Sequence, residues 1–263
     1  MPTSSVVGRP HESALDRTLG GYAPLCPTGF PLRIHVFADG ANAEEMLKIY
    51  RTGTASGFTT NPTLMRQSGI SDYSAFAREV LAEIRDLPIS FEVFADEFPE
   101  MDRQARLIAS WGDNVFVKIP ITNTRGDSSA PLIRALSAAG IKLNVTAILT
   151  LEQVALVCDS LSPATEAVIS VFAGRIADTG RDPVPIMKES VGLARALPLA
   201  QVLWASPREV LNIYQAEACG CHIITVTKPL LDKLSSHGKD LGQLSLETVR
   251  MFYDDAQRAE YSL

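Results

Sequence analysis

The chain has 263 residues, 46% of them apolar and 21% charged, with a formal net charge of −6. This is enough apolar material for one continuous core and argues against global disorder. The acidic balance argues against a nucleic-acid partner, so an anionic ligand would need a local cluster of Arg or Lys.

No stretch approaches the roughly 18 apolar residues of a membrane span, so no membrane partner is expected. Residues 1–32 carry Ser, Gly, Pro and scattered charges without the apolar centre of a secretory signal. They read as an N-terminal extension, disordered or draped over the surface, on a protein expected to be cytoplasmic. Cys26, Cys158, Cys219 and Cys221 are too sparse for a disulfide scaffold. Cys219 and Cys221, with His222 next to them, have no second ligand pair elsewhere in the chain and read as structural, so no metal is expected.

From residue 33, short apolar runs alternate with longer amphipathic stretches. Strands are expected over 33–39, 57–61, 89–95, 114–120, 141–146, 167–173, 201–206 and 222–227. Helices are expected over 43–51, 73–86, 101–110, 131–139, 151–159, 184–196, 207–218 and 229–235. Thr150 with Gln153 makes a capping-box pattern, Asp72 reads as a second cap, and Ser206-Pro207 as a cap followed by Pro at the first helical position. Eight strand–helix units without a Gly-rich nucleotide loop after the first strand favour an α/β fold, a (β/α)8 TIM barrel over 33–263, above a doubly wound open sheet. Residues 245–258 add a helix outside the repeat, with Leu246, Val249, Phe252 and Tyr253 at helical spacing. It needs its own barrel or a neighbouring subunit to pack on.

Lys118 ends the run Val115-Phe116-Val117-Lys118-Ile119-Pro120. Alone it would read as a strand-end lysine snorkelling to water, but an amine held among apolar strands is costly to keep charged, and a neutral amine attacks carbonyls. In a barrel the strand C-termini form the active face. Residues two apart on a strand share a face, so with Lys118 inward one mouth collects Asp39, Asn61, Glu92, Asn144, Thr146, Ser170 and Ser206. Glu92 inside an apolar strand calls for a partner. Asp39 before Gly40 equally suits a turn, Thr59-Thr60-Asn61-Pro62 equally reads as one, and Asn144 and Thr146 equally suit ordinary mouth hydrogen bonding. His35 lies too far down its strand to join them. Arg175 after the sixth strand and Ser206 with Arg208 after the seventh are the best anion clamp. Phe172 sits beside the proposed lysine site and reads alone as core.

Six segments in this order, Phe58-Thr59-Thr60-Asn61-Pro62-Thr63-Leu64, Phe91-Glu92-Val93, Val117-Lys118-Ile119-Pro120, Leu143-Asn144-Val145-Thr146, Ser170-Val171-Phe172-Ala173-Gly174-Arg175-Ile176 and Ala205-Ser206-Pro207-Arg208, resemble the transaldolase family of class I aldolase barrels. Overall length and the extra helix resemble its small-subunit branch, which also holds fructose-6-phosphate aldolase. The resemblance implies Lys118 as the Schiff-base lysine and Asp39 as the base of carbon–carbon cleavage. It implies Glu92 and Thr146 as holders of the proton-shuttling water. Asn61, Asn144 and Ser170 would bind the dihydroxyacetone part, and Arg175, Ser206 and Arg208 the phosphate. It implies sugar-phosphate substrates in carbohydrate metabolism, the pentose phosphate pathway, no cofactor, and a homo-oligomer. The aldolases of this branch resemble one another in placing Gln at the position of Glu92 and Tyr at that of Phe172, so both positions look transaldolase-like. An aldolase releasing free dihydroxyacetone is the alternative, and a silent sugar-phosphate-binding barrel a further one. Gly40-Ala41-Asn42 after Asp39, the long loop 122–129 and Pro207 depart from the family pattern and bear on the choice of acceptor.

Overall fold

A computed structural model describes residues 32–262, and the expected N-terminal extension, residues 1–32, falls almost entirely outside them, as does Cys26. Eight parallel strands close into a barrel in sequence order, β1 (His35–Asp39), β2 (Gly57–Thr59), β3 (Ile89–Glu92), β4 (Val115–Pro120), β5 (Leu143–Ile148), β6 (Ala167–Val171), β7 (Ala200–Trp204) and β8 (Ile223–Thr227). The barrel shuts by pairing β1 with β8, Asp39 opposite Thr227. The expected (β/α)8 barrel is therefore the fold.

Eleven α-helices occur among the described residues: α1 (Ala43–Thr52), α2 (Pro62–Gln67), α3 (Tyr73–Glu83), α4 (Phe98–Ala109), α5 (Ala130–Ala138), α6 (Leu151–Cys158), α7 (Ala173–Ala177), α8 (Val184–Ala194), α9 (Leu211–Ala218), α10 (Lys228–Lys233) and α11 (Leu241–Arg258). The caps at Asp72 and Thr150 form as expected, the latter with the reciprocal Gln153 bond. No helix among the described residues is long and apolar enough to cross a membrane.

Strand alternation divides the core in two. Outward residues such as Phe58, Phe91, Val117, Val145 and Trp204 belong to the large cluster that includes Met46, Val80, Ile108 and Ile133 of the helices. Inward, Phe37, Phe116, Val168, Leu203 and Ile223 form a separate plug. A Cβ on Gly57 would come within 2.6 Å of the Phe37 ring, so glycine in β2 makes room for that plug. Four plug residues, Phe37, Phe116, Val168 and Ile223, stand two positions before Asp39, Lys118, Ser170 and Thr225. The polar mouth is thus the next layer of the same inward stacks.

Several boundaries differ from expectation, each for a local reason. β2 stops at Thr59 because Asn61 caps the unforeseen helix α2, its side-chain oxygen accepting the Leu64 N–H at 3.0 Å, and Pro62 has no N–H for a ladder. β3 stops at Glu92 because Gln104 of α4 takes the N–H groups of Phe94 and Ala95, at 3.0 and 3.1 Å. β5 runs on to Ile148 through a register shift against β6 between Val145 and Ile148, with Ala147 at φ 62°. Phe172 is not a strand residue but the cap position of the short α7. Ser206-Pro207 does not start a helix. Ser206 sits at φ 57°, and Asn212 accepts the Arg208 and Glu209 N–H groups, delaying α9 to Leu211.

Candidate active site

Lys118 Nζ lies 3.2 Å from Glu92 Oε2 and donates to the Thr60 carbonyl at 3.1 Å. The pairing follows from register, since Glu92 on β3 stands directly beside Lys118 on β4, with Asn144 of β5 on the other flank. Lys118 is 7% exposed. The amine is therefore not simply surrounded by apolar strands, as the sequence suggested, but held in an ion pair at their ends.

Asp39 accepts a hydrogen bond from Thr59 Oγ1 at 2.7 Å, and Thr59 Oγ1 is 2.5 Å from Thr225 Oγ1. With Asp39 ionised, the one Thr59 proton goes to the carboxylate and Thr225 donates in turn. Burial pushes both carboxyls above their ordinary range. At Asp39 the Lys118 charge and the Thr59 bond oppose that rise. At Glu92 Lys118 opposes it while the Asp39 charge adds to it. Two acids that resist ionisation around one amine form a proton-exchanging set.

Beside them, Ser170 Oγ donates to Asn144 Oδ1 at 2.6 Å, and Asn144 Nδ2 donates to Ser90 Oγ at 2.9 Å. Thr146 Oγ1 is buried with no hydrogen-bond partner among the described residues. A cavity of about 590 Å³ gathers Asp39, Asn61, Glu92, Lys118, Thr146, Ser170, Phe172, Arg175 and Ser206. Asn144 lies fully buried behind that lining. Arg208 is not in the lining either, and its guanidinium is held by both carboxylate oxygens of Asp178. Arg175 stacks over the Phe172 ring at 5.5 Å. A Cβ on Gly174 would come 1.5 Å from the Ser206 carbonyl oxygen, so this glycine lets the β6 and β7 ends close on one another.

Thr59, Thr225 and Ser90 escaped the reading of the sequence. The signal was available: each is the inward residue near the end of its strand, two positions past an inward partner or in register with one. Among the described residues no group of three or more His, Cys, Asp or Glu side chains could hold a metal ion, and Cys158, Cys219 and Cys221 are free thiols.

A profile of the Transaldolase/Fructose-6-phosphate aldolase family matches residues 36–263. The chain belongs to this family. It is 36% identical over 205 residues to a probable transaldolase of Dehalococcoides mccartyi, covering 78% of this chain and 91% of that one. It is 37% identical over 220 residues to a probable transaldolase of Streptococcus equi subsp. zooepidemicus, covering 83% and 96%. It is 34% identical over 202 residues to probable transaldolase 2 of Listeria monocytogenes, covering 76% and 88%. The matched residues include every residue of the cavity described above.

Proposed function

We propose that the protein is a transaldolase that moves a dihydroxyacetone unit from fructose 6-phosphate to erythrose 4-phosphate through an imine on Lys118. The observation that carries this reading is the Lys118–Glu92 pair at 3.2 Å in a cavity whose other acid is Asp39. Glu92, made more basic by burial, takes a proton from the ammonium, and the freed amine adds to the ketose carbonyl. Water leaves to give the iminium. Asp39 removes the C4 hydroxyl proton, the C3–C4 bond breaks, and its electrons pass into the iminium as an enamine. The aldose phosphate departs. The enamine then adds to the second aldehyde, Asp39 returns the proton, and hydrolysis restores the lysine. The protonated imine serves as electron sink, so the scheme requires no metal or other cofactor.

Glu92 and Thr146 hold the water of imine formation and hydrolysis, and Thr146 has its hydroxyl unengaged for it. Asn61 and Ser170 bind the three-carbon unit, with Asn144 orienting Ser170. Arg175 and Ser206 hold the phosphate, while Arg208 must share its guanidinium with Asp178. Phe172 favours transfer over release of free dihydroxyacetone, because an apolar ring offers the enamine no proton. The same reading makes the protein a homo-oligomer working in the cytoplasm on the pentose phosphate pathway.

The test is intact mass and peptide mapping after incubation with fructose 6-phosphate and borohydride. A reduced three-carbon adduct on Lys118, lost in Lys118→Ala together with all transfer, is expected. A six-carbon adduct alone would mean imine formation without cleavage, and wild-type-like transfer by Lys118→Ala would sink the mechanism.

A further inference from the structure

β2 is the shortest wall of the barrel. Its ladder with β3 holds only Phe58 opposite Ile89 and Thr59 opposite Ser90. Two more bonds to the Ser90 carbonyl, from the Thr60 N–H at 3.0 Å and the Thr60 hydroxyl at 2.9 Å, end it before the chain turns into α2. In a parallel pair the N–H and C=O of one residue face the same neighbour, and residues two apart repeat that direction. Glu92 is two past Ser90, so its backbone groups face the side that β2 has already left.

Tyr73 fills that gap. Its hydroxyl accepts the Glu92 N–H at 2.8 Å and donates to the Glu92 carbonyl at 2.8 Å, standing where a strand residue would be. The ring is held in place by edge contacts with Phe91 and Phe94 and a tilted one with Trp111, at centroid distances of 6.3, 5.7 and 5.8 Å. Asp72 fixes the helix start behind it by accepting the Ala75 N–H at 2.8 Å. Burial pushes the phenol above the ordinary tyrosine range, so the hydroxyl keeps its proton and donates it to the Glu92 carbonyl. Thr60, the first residue past β2, reaches the same hydroxyl, and the carboxylate carried by this turn of chain meets Lys118 at 3.2 Å.

We infer that Tyr73 is a positioning residue that sets the Glu92 carboxylate against Lys118 and so governs imine formation and hydrolysis but not carbon–carbon cleavage. The inference rests on the reading of Lys118 as the imine-forming amine. It assigns Tyr73 no contact with substrate.

The experiment follows the rate at which fructose 6-phosphate is trapped by borohydride on Lys118 of the full chain. Tyr73→Phe keeps the ring and removes the hydroxyl. It should slow trapping about tenfold or more, the scale of a misplaced acid–base group, with KM within about twofold. In a Glu92→Gln background the same change should slow trapping no further, because the residue acts through Glu92. Trp111→Phe loosens the same aromatic cluster with the hydroxyl in place, and should lower Tm while leaving the trapping rate as in wild type. Wild-type trapping by Tyr73→Phe, or a full additional loss in the Glu92→Gln background, would overturn the inference. So would collapse of the fold in Tyr73→Phe, which would make the hydroxyl purely structural. Absence of any adduct on wild-type Lys118 would instead remove the underlying functional reading.

Discussion

Asp39 and Glu92 share one cation, and both are held above their ordinary range chiefly by burial. A carboxyl whose folded value is raised contributes stability below its unfolded value, near 3.8 for Asp39, and loses it as pH climbs through the folded value. At neutral pH the ionised acid is therefore a cost to folding, one that the proposed cleavage step requires. Asp39→Asn keeps an oxygen to accept from Thr59 and removes the charge. It should raise Tm near neutral pH by about 2–3 °C, the equivalent of about 1 kcal/mol, with the gain shrinking as pH falls toward about 4, while cleavage is lost. Melts at the two pH values check this, and a variant less stable than wild type at neutral pH would contradict it. In the proposed reaction Glu92 and Phe172 bear on product fate. Glu92→Gln with Phe172→Tyr places a hydroxyl near the enamine and should raise free dihydroxyacetone relative to transfer product by about tenfold, roughly 1.4 kcal/mol in barrier difference. An unchanged product ratio in an acceptor-free assay against an acceptor-loaded one would refute the branch argument.

At the level of elements, the ends of β6 and β7 meet through Gly174 and Ser206. Ser206 pays for its left-handed backbone with strain on the order of 1–3 kcal/mol, and Gly174 leaves room for its carbonyl. Gly174→Ala must push the two loops apart. It should raise KM for phosphorylated sugars well above its effect on unphosphorylated ones, by about tenfold, the loss of one charge-assisted contact; equal effects on both would show that the phosphate is not held there. Alternation of apolar runs and amphipathic stretches was sufficient to foresee all eight strands, and inward parity foresaw the Lys118, Glu92 and Asp39 mouth. The strand ends were not legible, because they depend on side chains arriving from elsewhere. Gln104 terminates β3 and Asn212 rewrites the start of α9, and no local pattern announces either. The same holds for Arg208, whose spacing suits an anion clamp but whose guanidinium is claimed by Asp178 thirty positions away.

For the whole molecule, α11 is the element that the barrel does not explain. None of its residues is buried, and Val249, Met251, Phe252 and Tyr253 are 60, 51, 63 and 65% exposed. Apolar surface of this extent on a helix outside the repeat fits the proposed homo-oligomer. Val249→Glu with Phe252→Glu should reduce the mass measured by light scattering to that of one chain while leaving the barrel folded; an unchanged mass would place the contact elsewhere. The barrel itself carries a different consequence through its seam. Thr225 on the last strand completes the hydroxyl chain to Asp39 on the first, and Thr227 pairs with Asp39 directly. The surroundings of Asp39 are therefore assembled from the two ends of the barrel sequence, Thr59 from one and Thr225 and Thr227 from the other, and are complete only once the last strand has closed on the first.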